Sequence, residues 1–174
     1  GAVGAYATHR IVAADKLVLV PEAIPDAVAA GTLLRGMTVQ YLLKRTFPVH
    51  AGQTILFHAA AGGVGQIACQ WAQALGATVI GTVGSKEKAD QASAYCDHVI
   101  DYHDPDWAAQ VRELTEGNGV PVVYDGVGEA TFAGSLDCLA VRGMLVSFGN
   151  ASGAVSSFNL GLLAQKGSLF VTRP

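Results

Sequence analysis

The sequence has few cysteines, few aromatic residues and few charged residues. Its 174 residues include 3 cysteines, 7% aromatic residues and 14% charged residues. Cys69, Cys96 and Cys138 are odd in number and widely spaced, which argues against a disulfide framework or a CxxC zinc site. We therefore interpret them as buried thiols that pack as small hydrophobic side chains. The alternative is a redox or metal-binding role.

The chain also lacks a hydrophobic run of the roughly 18 residues that a membrane span needs. It shows no basic leader followed by an apolar stretch and a cleavage site, so we expect a cytoplasmic protein without a membrane partner. The formal net charge is −3, and lysine and arginine are scattered singly. Because nucleic-acid binding relies on clustered positive charge, we expect no nucleic-acid partner.

What the chain does contain is apolar and glycine-rich. Hydrophobic residues make up 51% of the sequence, which is enough for the core of one domain. The chain has 21 glycines against 6 prolines. Many glycines at strand-to-helix corners are typical of α/β proteins, in which strands and helices alternate.

Apolar runs and turn residues predict a regular alternation of strands and helices. Strands are predicted at 54–58, 77–82, 98–101, 121–125, 143–148 and 168–172. Helices are predicted at 26–30 and 32–44 before the first strand, and afterwards at 63–75, 85–95, 105–116, 129–139 and 158–166. This order predicts the fold class α/β, as a Rossmann-type, doubly wound, six-stranded parallel sheet with helices on both faces. Such sheets bind ligands beyond the carboxyl ends of the strands, where the strand order reverses.

The segment before these elements has a different character. Residues 6–21 contain short apolar runs and read as extended chain without a partner strand nearby. We expect residues 1–22 to be the extended end of a preceding β-rich domain that is absent from this sequence. Residues 23–174 would then form a dinucleotide-binding domain.

The turn after the first predicted strand is the strongest candidate for a binding site. The spacing Ala60-x-Gly62-x-x-Gly65 matches the dinucleotide fingerprint G-x-G-x-x-G, except that alanine stands at its first position. Gly62 would let the backbone approach a pyrophosphate, and Gly65 would let the new helix pack against its strand. Since a helix N-terminus offers free N–H groups, we expect the pyrophosphate to bind at Ala61, Gly62, Gly63 and Val64.

The end of the second predicted strand favours NADP(H) over NAD(H). A site selective for NAD would carry Asp or Glu about 20 residues beyond the turn. The sequence has Val83 there, followed by Gly84, Ser85 and, one helical turn later, Lys88. A 2′-phosphate would meet no repelling carboxylate and could contact the Ser85 hydroxyl and the Lys88 ammonium group. Alternatively, Ser85 is only a helix cap and Lys88 a solvated side chain, which is compatible with phosphate binding.

Three more places could belong to the same crevice. Tyr102 follows the third strand and could lie beside the adenosine half of a cofactor, or be a half-buried tyrosine at a strand end. Val127 and residues 147–150 follow the next two strands and should line the nicotinamide side. We interpret Asp125 as a turn residue rather than a general base, because it has no obvious proton to take near a hydride transfer. Of the histidines, those at 9, 50, 58 and 98 show no metal-like spacing and are interpreted as packed or solvated.

Several strings of the sequence resemble one known family. They are His58-Ala-Ala-Ala-Gly-Gly-Val-Gly65, Gly81-Thr-Val-Gly84, Val123-Tyr-Asp125, Val146-Ser-Phe-Gly-Asn150 and Gln165-Lys-Gly-Ser-Leu169. Over nearly all of its length the chain resembles the zinc-independent, zeta-crystallin-like quinone oxidoreductases of the medium-chain dehydrogenase/reductase superfamily. In that family an Ala-Ala-Gly-Gly-Val-Gly turn stands where other proteins have G-x-G-x-x-G, so Ala60 does not argue against the site.

The resemblance implies NADPH as the cofactor, a quinone as the acceptor and no metal ion. It implies that Lys88, Tyr102 and the Gly84-Ser85 corner contact the 2′-phosphate and that Thr38 lies beside the nicotinamide. Three residues would hold the nicotinamide carboxamide: Phe148, Gly149 and Asn150. At Gly126 relatives often carry serine, so a polar contact could be lost there.

The resemblance also implies that most catalytic residues lie outside this sequence. Family members have a GroES-like catalytic domain before this segment and a returning segment after it, and the substrate cleft lies between the domains. We therefore expect the isolated chain to bind NADPH but to be poorly active. The last strand, 168–172, would be a sheet edge that pairs with its twofold mate in a homodimer. The alternatives are an NADPH-dependent enone, enal or enoyl-thioester reductase, and a crystallin-like structural or RNA-binding protein.

Overall fold

The computed structural model describes Gly4 and residues 6–174, and the chain divides into two compact units, Gly1–Leu33 and Leu34–Pro174. In the first unit, residues 6–28 are exposed, and a 3-10 helix at Ala14–Lys16 interrupts the stretch predicted to be extended. Part of the expected 1–22 segment, residues 1–3 and 5, lies outside the described residues. That this segment belongs to a preceding domain stays a prediction.

One long helix precedes the first strand, where the sequence predicted two. Helix α1 runs over Asp26–Tyr41 and continues as a π-helical turn at Leu42–Thr46. The predicted break at Gly31 is wrong. A single glycine inside a helix costs only about 1 kcal/mol relative to alanine, which neighbouring residues can offset.

The second unit contains a six-stranded parallel sheet. Its strands are β1 (Thr54–Phe57), β2 (Thr78–Val83), β3 (His98–Asp101), β4 (Val120–Asp125), β5 (Leu139–Ser147) and β6 (Phe170–Thr172). The strand order is β3-β2-β1-β4-β5-β6, and all paired strands are parallel. This confirms the predicted fold class. The order reverses between β1 and β4, so the crevice for a ligand is expected beyond their carboxyl ends.

Five helices connect the strands. They are α2 (Gly63–Ala74), α3 (Lys86–Ala92), α4 (Trp107–Leu114), α5 (Glu129–Cys138) and α6 (Gly161–Gln165). Each helix predicted after the first strand is present, with ends that differ by a few residues. The clearest difference among the strands is β5, which begins at Leu139 rather than at 143. Leu139 already pairs with Val120, ahead of a register shift that the sequence pattern does not reveal.

Alternate residues of the central strands pack on opposite faces of the sheet. Ile55 and Phe57 of β1 belong to a core that includes buried residues of α1, α2 and α3. Leu56, between them, belongs to a second core with buried residues of α4 and α5. Because successive side chains of a strand point to opposite sides, helices are needed on both faces, as the sequence predicted.

Two further expectations can be compared with the structure. The three cysteines are buried free thiols, which confirms that they pack as hydrophobic side chains. Within Gly4 and residues 6–174, no helix combines the length and the apolar character needed to cross a bilayer. The cytoplasmic location stays a prediction.

Candidate dinucleotide-binding site

The glycine turn connects β1 to α2 through a tightly packed backbone. Ala59 has a positive φ of 53°, and the backbone N–H of Ala60 donates to the carbonyl oxygen of Thr82 at 2.9 Å. A Cβ atom built on Gly65 would collide with the carbonyl oxygens of Ala59 and Ala60. Helix α2 can therefore approach the turn this closely only with glycine at 65, which is the packing role that the sequence predicted.

The N-terminus of α2 is the candidate pyrophosphate site. Gly62 is the N-cap residue and is exposed, and among the described residues no side chain caps this end of the helix. The side-chain amide of Gln66 donates a hydrogen bond to the carbonyl oxygen of Ala61 at 2.8 Å and so holds the turn in place. Gly63 and Val64 are half-buried. Because the first N–H groups of a helix have no partner within it, they are available to an anion.

A small cavity lies beside this turn at the carboxyl end of β2. Its volume is about 90 Å³, and it brings together five residues that the sequence singled out: Ala61, Gly62, Gly84, Lys88 and Tyr102. Ala59 and Val83 complete its lining, so none of the described residues that line it is acidic. The cavity therefore lacks the carboxylate that an NAD-selective ribose site would carry.

The structure also shows the capping role that was the alternative for Ser85. Its hydroxyl oxygen accepts a hydrogen bond from the backbone N–H of Lys88 at 3.3 Å, at the start of α3. The Lys88 side chain is exposed. On the other side of the cavity, the half-buried Tyr102 ring lies 4.5 Å from the ring of His103.

The candidate nicotinamide residues cluster at the carboxyl ends of β4 and β5. Val127 is buried, Phe148 and Gly149 are half-buried, and Asn150 is exposed. A Cβ atom on Gly126 would lie 2.9 Å from the Phe148 ring. A serine at 126, which the resemblance implies for many relatives, would thus require the Phe148 ring to move.

Asp125 is the last residue of β4, and its side chain makes the turn hydrogen bonds that the sequence suggested. Its carboxylate is almost fully buried, and one oxygen accepts hydrogen bonds from the backbone N–H groups of Val127 and Gly128 at 2.8 and 2.9 Å. The other oxygen accepts from the Thr131 hydroxyl at 2.8 Å. With both oxygens engaged by donors, the carboxylate serves to fix the turn.

His58 is a packed histidine. Its ring nitrogens lie 2.7 Å from the Thr82 hydroxyl oxygen and 2.9 Å from that of Ser135. Burial lowers the pKa of His58 to about 4, against a smaller raising effect from the Asp125 charge. The ring is therefore neutral at pH 7.

Sequence reasoning missed two arginines near these turns. One guanidinium nitrogen of Arg173 donates to the carbonyl oxygen of Gly149 at 3.2 Å and to the side-chain oxygen of Asn150 at 2.9 Å. The Arg35 side chain reaches Gly63, where a Cβ atom would lie 2.6 Å from its Nε. Arg173 could have been found, because it directly follows the last strand. The position of Arg35 depends on how α1 packs, which the sequence does not show.

Thr38 lies one helical turn beyond Arg35 on α1. Its hydroxyl donates to the carbonyl oxygen of Leu34 at 2.9 Å, so it has a partner within its own helix. The side chain is half-buried. Its place beside a nicotinamide stays a prediction.

Comparisons with known proteins connect this geometry to a family. The family model described as "Zinc-binding dehydrogenase" matches residues 63–172. The quinone oxidoreductase of Pseudomonas aeruginosa is 55% identical over 175 residues, which cover 100% of this chain and 54% of that protein. The 2-haloacrylate reductase of a Burkholderia species is 49% identical over 175 residues, which cover 98% of this chain and 53% of that protein.

A solved structure is similar to this chain in the same way as the family model and the curated relatives. The Escherichia coli quinone oxidoreductase, crystallised in complex with NADPH, matches with a TM-score of 0.89 and 55% sequence identity. The match covers 92% of this chain and 50% of that chain. The chain thus spans about half the length of the curated relatives that it matches.

Zinc appears in the family's description, but the described residues do not offer it a site. In the part of the chain that the structure describes, no three His, Cys, Asp or Glu side chains are grouped as metal ligands. Burial raises the pKa of the Cys138 thiol to about 12, which disfavours the thiolate that binds zinc. The described residues therefore do not fit a zinc ion, and the expectation of no metal ion stays a prediction.

Proposed function

This chain belongs to the zinc-binding dehydrogenase family, and from that premise we propose that it is the NADPH-binding domain of a quinone oxidoreductase. NADPH, when bound, supplies the reducing equivalents, and the residues of this chain hold and orient it. The observation that best supports the proposal is the cavity between Gly84, Lys88 and Tyr102. It adjoins a helix N-terminus that no described side chain caps, and the described residues of its lining include no acidic one.

In this proposal the cavity receives the 2′-phosphate of the cofactor. Lys88 supplies a positive charge, and the hydroxyl groups of Tyr102 and Ser85 supply hydrogen bonds. The capping bond to Ser85 is long, at 3.3 Å, and it uses only one lone pair of the hydroxyl oxygen. Its proton therefore remains available to a phosphate oxygen.

The pyrophosphate would lie against residues 61–64, at the N-terminus of α2. Arg35 strengthens this assignment, because its side chain lies against Gly63 at that same helix end. A cation is unfavourable beside the positive end of a helix dipole. An anion bound there would interact favourably with the guanidinium group and with the helix N–H groups together.

The nicotinamide would lie on the other side of the crevice, beside Val127, Thr38 and the segment that contains Phe148, Gly149 and Asn150. Arg173 bonds to Ser147, Gly149 and Asn150 and so holds this segment against the end of β6. Hydrogen-bond donors and acceptors at fixed positions orient a bound nicotinamide ring for hydride transfer to the substrate.

The quinone acceptor and the catalytic residues are proposed for a longer protein of which this chain would be one domain. Relatives described as quinone oxidoreductases are about twice as long as this chain. In this proposal the substrate cleft also uses residues of the part of such a protein that this chain does not span. We therefore expect the 174-residue chain to bind NADPH and to reduce quinones poorly.

A second candidate activity is reduction of an activated carbon–carbon double bond. It is favoured by the 49% identity to the 2-haloacrylate reductase. Such a reaction could use the same cofactor domain. A panel of quinones, enones and haloacrylates, tested on the longer parent protein, would separate the two activities.

We also propose a homodimer through β6. This strand is the last in the sheet order, and its Phe170 is 46% exposed. Because an apolar edge strand tends to pair with another strand, a second copy could extend the sheet. A sedimentation profile of pure monomer at tens of micromolar, an order-of-magnitude concentration for such dimers, would contradict this part of the proposal.

The proposed cofactor site is tested by replacing two lysines of α3. Lys88→Ala should weaken NADPH binding and leave NADH binding unchanged, because only NADPH carries the 2′-phosphate. Lys86→Ala removes the same charge from an exposed position outside the cavity and serves as the matched control. Equal effects of the two substitutions on NADPH binding would contradict the assignment.

A further inference from the structure

A chain of buried polar side chains crosses the core directly beneath the proposed site. His58 is fully buried where the glycine turn leaves β1. Its Nδ1 lies 2.7 Å from the Thr82 hydroxyl oxygen, and its Nε2 lies 2.9 Å from the Ser135 hydroxyl oxygen. Ser135 continues to a carboxylate oxygen of Asp125 at 3.3 Å. These four residues, named here the buried polar chain, connect β2, the turn after β1, α5 and β4.

The protons of this chain can be assigned from its hydrogen-bond partners. The Ser135 hydroxyl has two acceptors, the carboxylate of Asp125 and the carbonyl oxygen of Thr131 at 2.8 Å. We assign its proton to one of these acceptors, which leaves its oxygen to accept a hydrogen bond from His58. His58 therefore carries its proton on Nε2, and its Nδ1 accepts from the Thr82 hydroxyl.

Both ends of the buried polar chain reach turns that would hold the cofactor. At one end, the carbonyl oxygen of Thr82 accepts the N–H of Ala60, within the glycine turn. At the other end, Asp125 accepts the N–H groups of Val127 and Gly128. The first turn faces the proposed pyrophosphate site, and the second lies on the proposed nicotinamide side.

The surroundings of His58 make an unpaired polar side chain energetically unfavourable at this position. The Trp107 ring stands nearly perpendicular to the histidine ring, with 5.2 Å between ring centroids, and Trp107 belongs to the apolar core on that face of the sheet. Buried polar groups cost free energy unless they are paired, and apolar side chains of similar size can fill such a space at least as stably. A fully paired buried network can instead specify one arrangement of the elements that it joins.

We propose that His58 is a positioning residue for cofactor binding, which holds the glycine turn and the Asp125 turn in one fixed relation through Thr82 and Ser135. The proposal rests on the proposed function, because NADPH is the ligand that spans both turns. His58 itself does not contact the cofactor. It acts through the backbone of the two turns, which Thr82 and Asp125 hold by accepting the N–H groups of Ala60, Val127 and Gly128.

Two substitutions cut the buried polar chain without touching the proposed cofactor contacts. Thr82→Val removes the donor to Nδ1 while preserving shape, and Ser135→Ala removes the link from Nε2 to Asp125. Each should weaken NADPH binding on the order of tenfold, by calorimetry at a temperature where circular dichroism shows the variant to be folded. Val111→Ala, in the same core, is the matched control. It should lower the Tm and leave the NADPH Kd within about twofold, because it adds a cavity and cuts no hydrogen bond.

A second readout separates positioning from general stability. In the cofactor-free protein, Thr82→Val should shift the amide NMR signals of Val127 and Gly128, although these residues lie on another strand end. Val111→Ala should leave both signals in place. Long-range proton–nitrogen spectra of the unsubstituted chain should show His58 with its proton on Nε2. A proton on Nδ1, or unmoved signals at 127 and 128, would overturn the proposal.

The outcomes also distinguish this inference from the proposed function. Tight NADPH binding by the unsubstituted chain, together with unchanged binding by the Thr82→Val and Ser135→Ala variants, would overturn the positioning role alone. Absence of NADPH binding by the unsubstituted chain would overturn the proposed function, and the positioning role with it. The NMR spectra would then still show whether the two turns are joined.

Discussion

The hydroxyl oxygen of Tyr102 lies 2.5 Å from the position that a Cβ atom on Gly84 would occupy. Gly84 follows β2 and Tyr102 follows β3. The tyrosine ring lies against the glycine, and both residues line the cavity. A residue with a side chain at 84 would push the tyrosine away from Lys88. This close approach, rather than turn geometry, is what requires glycine at 84.

We therefore predict that Gly84→Ala weakens NADPH binding on the order of tenfold, about the value of one charge-assisted hydrogen bond. NADH binding should change less, since it does not use the 2′-phosphate contact of Tyr102. Calorimetric titration with both cofactors measures the two effects. A larger loss for NADH than for NADPH would contradict the placement of the phosphate.

Arg35 leads to a prediction of the opposite pattern. Because the pyrophosphate is common to both cofactors, Arg35→Gln should weaken NADPH and NADH binding by similar factors, roughly three- to tenfold for an exposed charge. Arg45→Gln, at another exposed arginine, is the control and should change neither. If the substitution weakened only NADPH binding, Arg35 would instead be assigned to the 2′-phosphate.

The Gly65→Ala substitution should destabilise the fold. The added Cβ atom meets backbone carbonyl oxygens of the turn, which cannot rotate away as a side chain could. We expect a loss of roughly 1–3 kcal/mol in the free energy of unfolding, as for other overpacked sites. Urea unfolding measures it.

Gly31→Ala is the control for Gly65→Ala. Gly31 lies inside α1, where an added Cβ atom would have no atom of the described residues within 4 Å, and the substitution should raise the stability by roughly 0.5–1 kcal/mol. If both substitutions had the same effect on unfolding, close packing at 65 would not be its cause.

The pH dependence of stability should carry a contribution from His58. Its pKa falls from 6.5 in the unfolded chain to about 4 in the folded one, because burial disfavours the charged ring. Between these values the unfolded state binds the extra proton, so stability is lost as the pH falls from 6.5 towards 4. The loss amounts to about 3 kcal/mol in all, and the slope that His58 contributes disappears about one pH unit above 6.5. Comparing urea unfolding of the unsubstituted chain and His58→Gln across this range isolates the contribution. Equal slopes in the two proteins would contradict it.

The sequence predicted the fold well because buried parallel strands are mostly apolar along their length. The runs at 77–82 and 121–125 stand out for this reason, and glycine turns mark where strands end. The errors arose where tertiary contacts outweigh local preference. Helix α1 continues through Gly31, and β5 starts at Leu139 because it pairs with Val120 across a register shift.

The candidate site was predictable only where it is local in sequence. Gly62, Gly84 and Lys88 lie within or just after a turn, and the topological rule brings such turns to one edge of the sheet. The contact of His58 with Ser135 joins residues 77 positions apart, so a pattern along the chain cannot show it. Arg173 and Arg35 reach the turns through the packing of separate elements.

The central claim is that this chain selects NADPH through the cavity at the end of β2. Calorimetric titration of the unsubstituted 174-residue chain with NADPH and with NADH tests it most directly. We predict saturable binding of NADPH that is at least about tenfold tighter than that of NADH, as one charge-assisted contact would give. Tighter binding of NADH, or no binding of either cofactor, would contradict the claim.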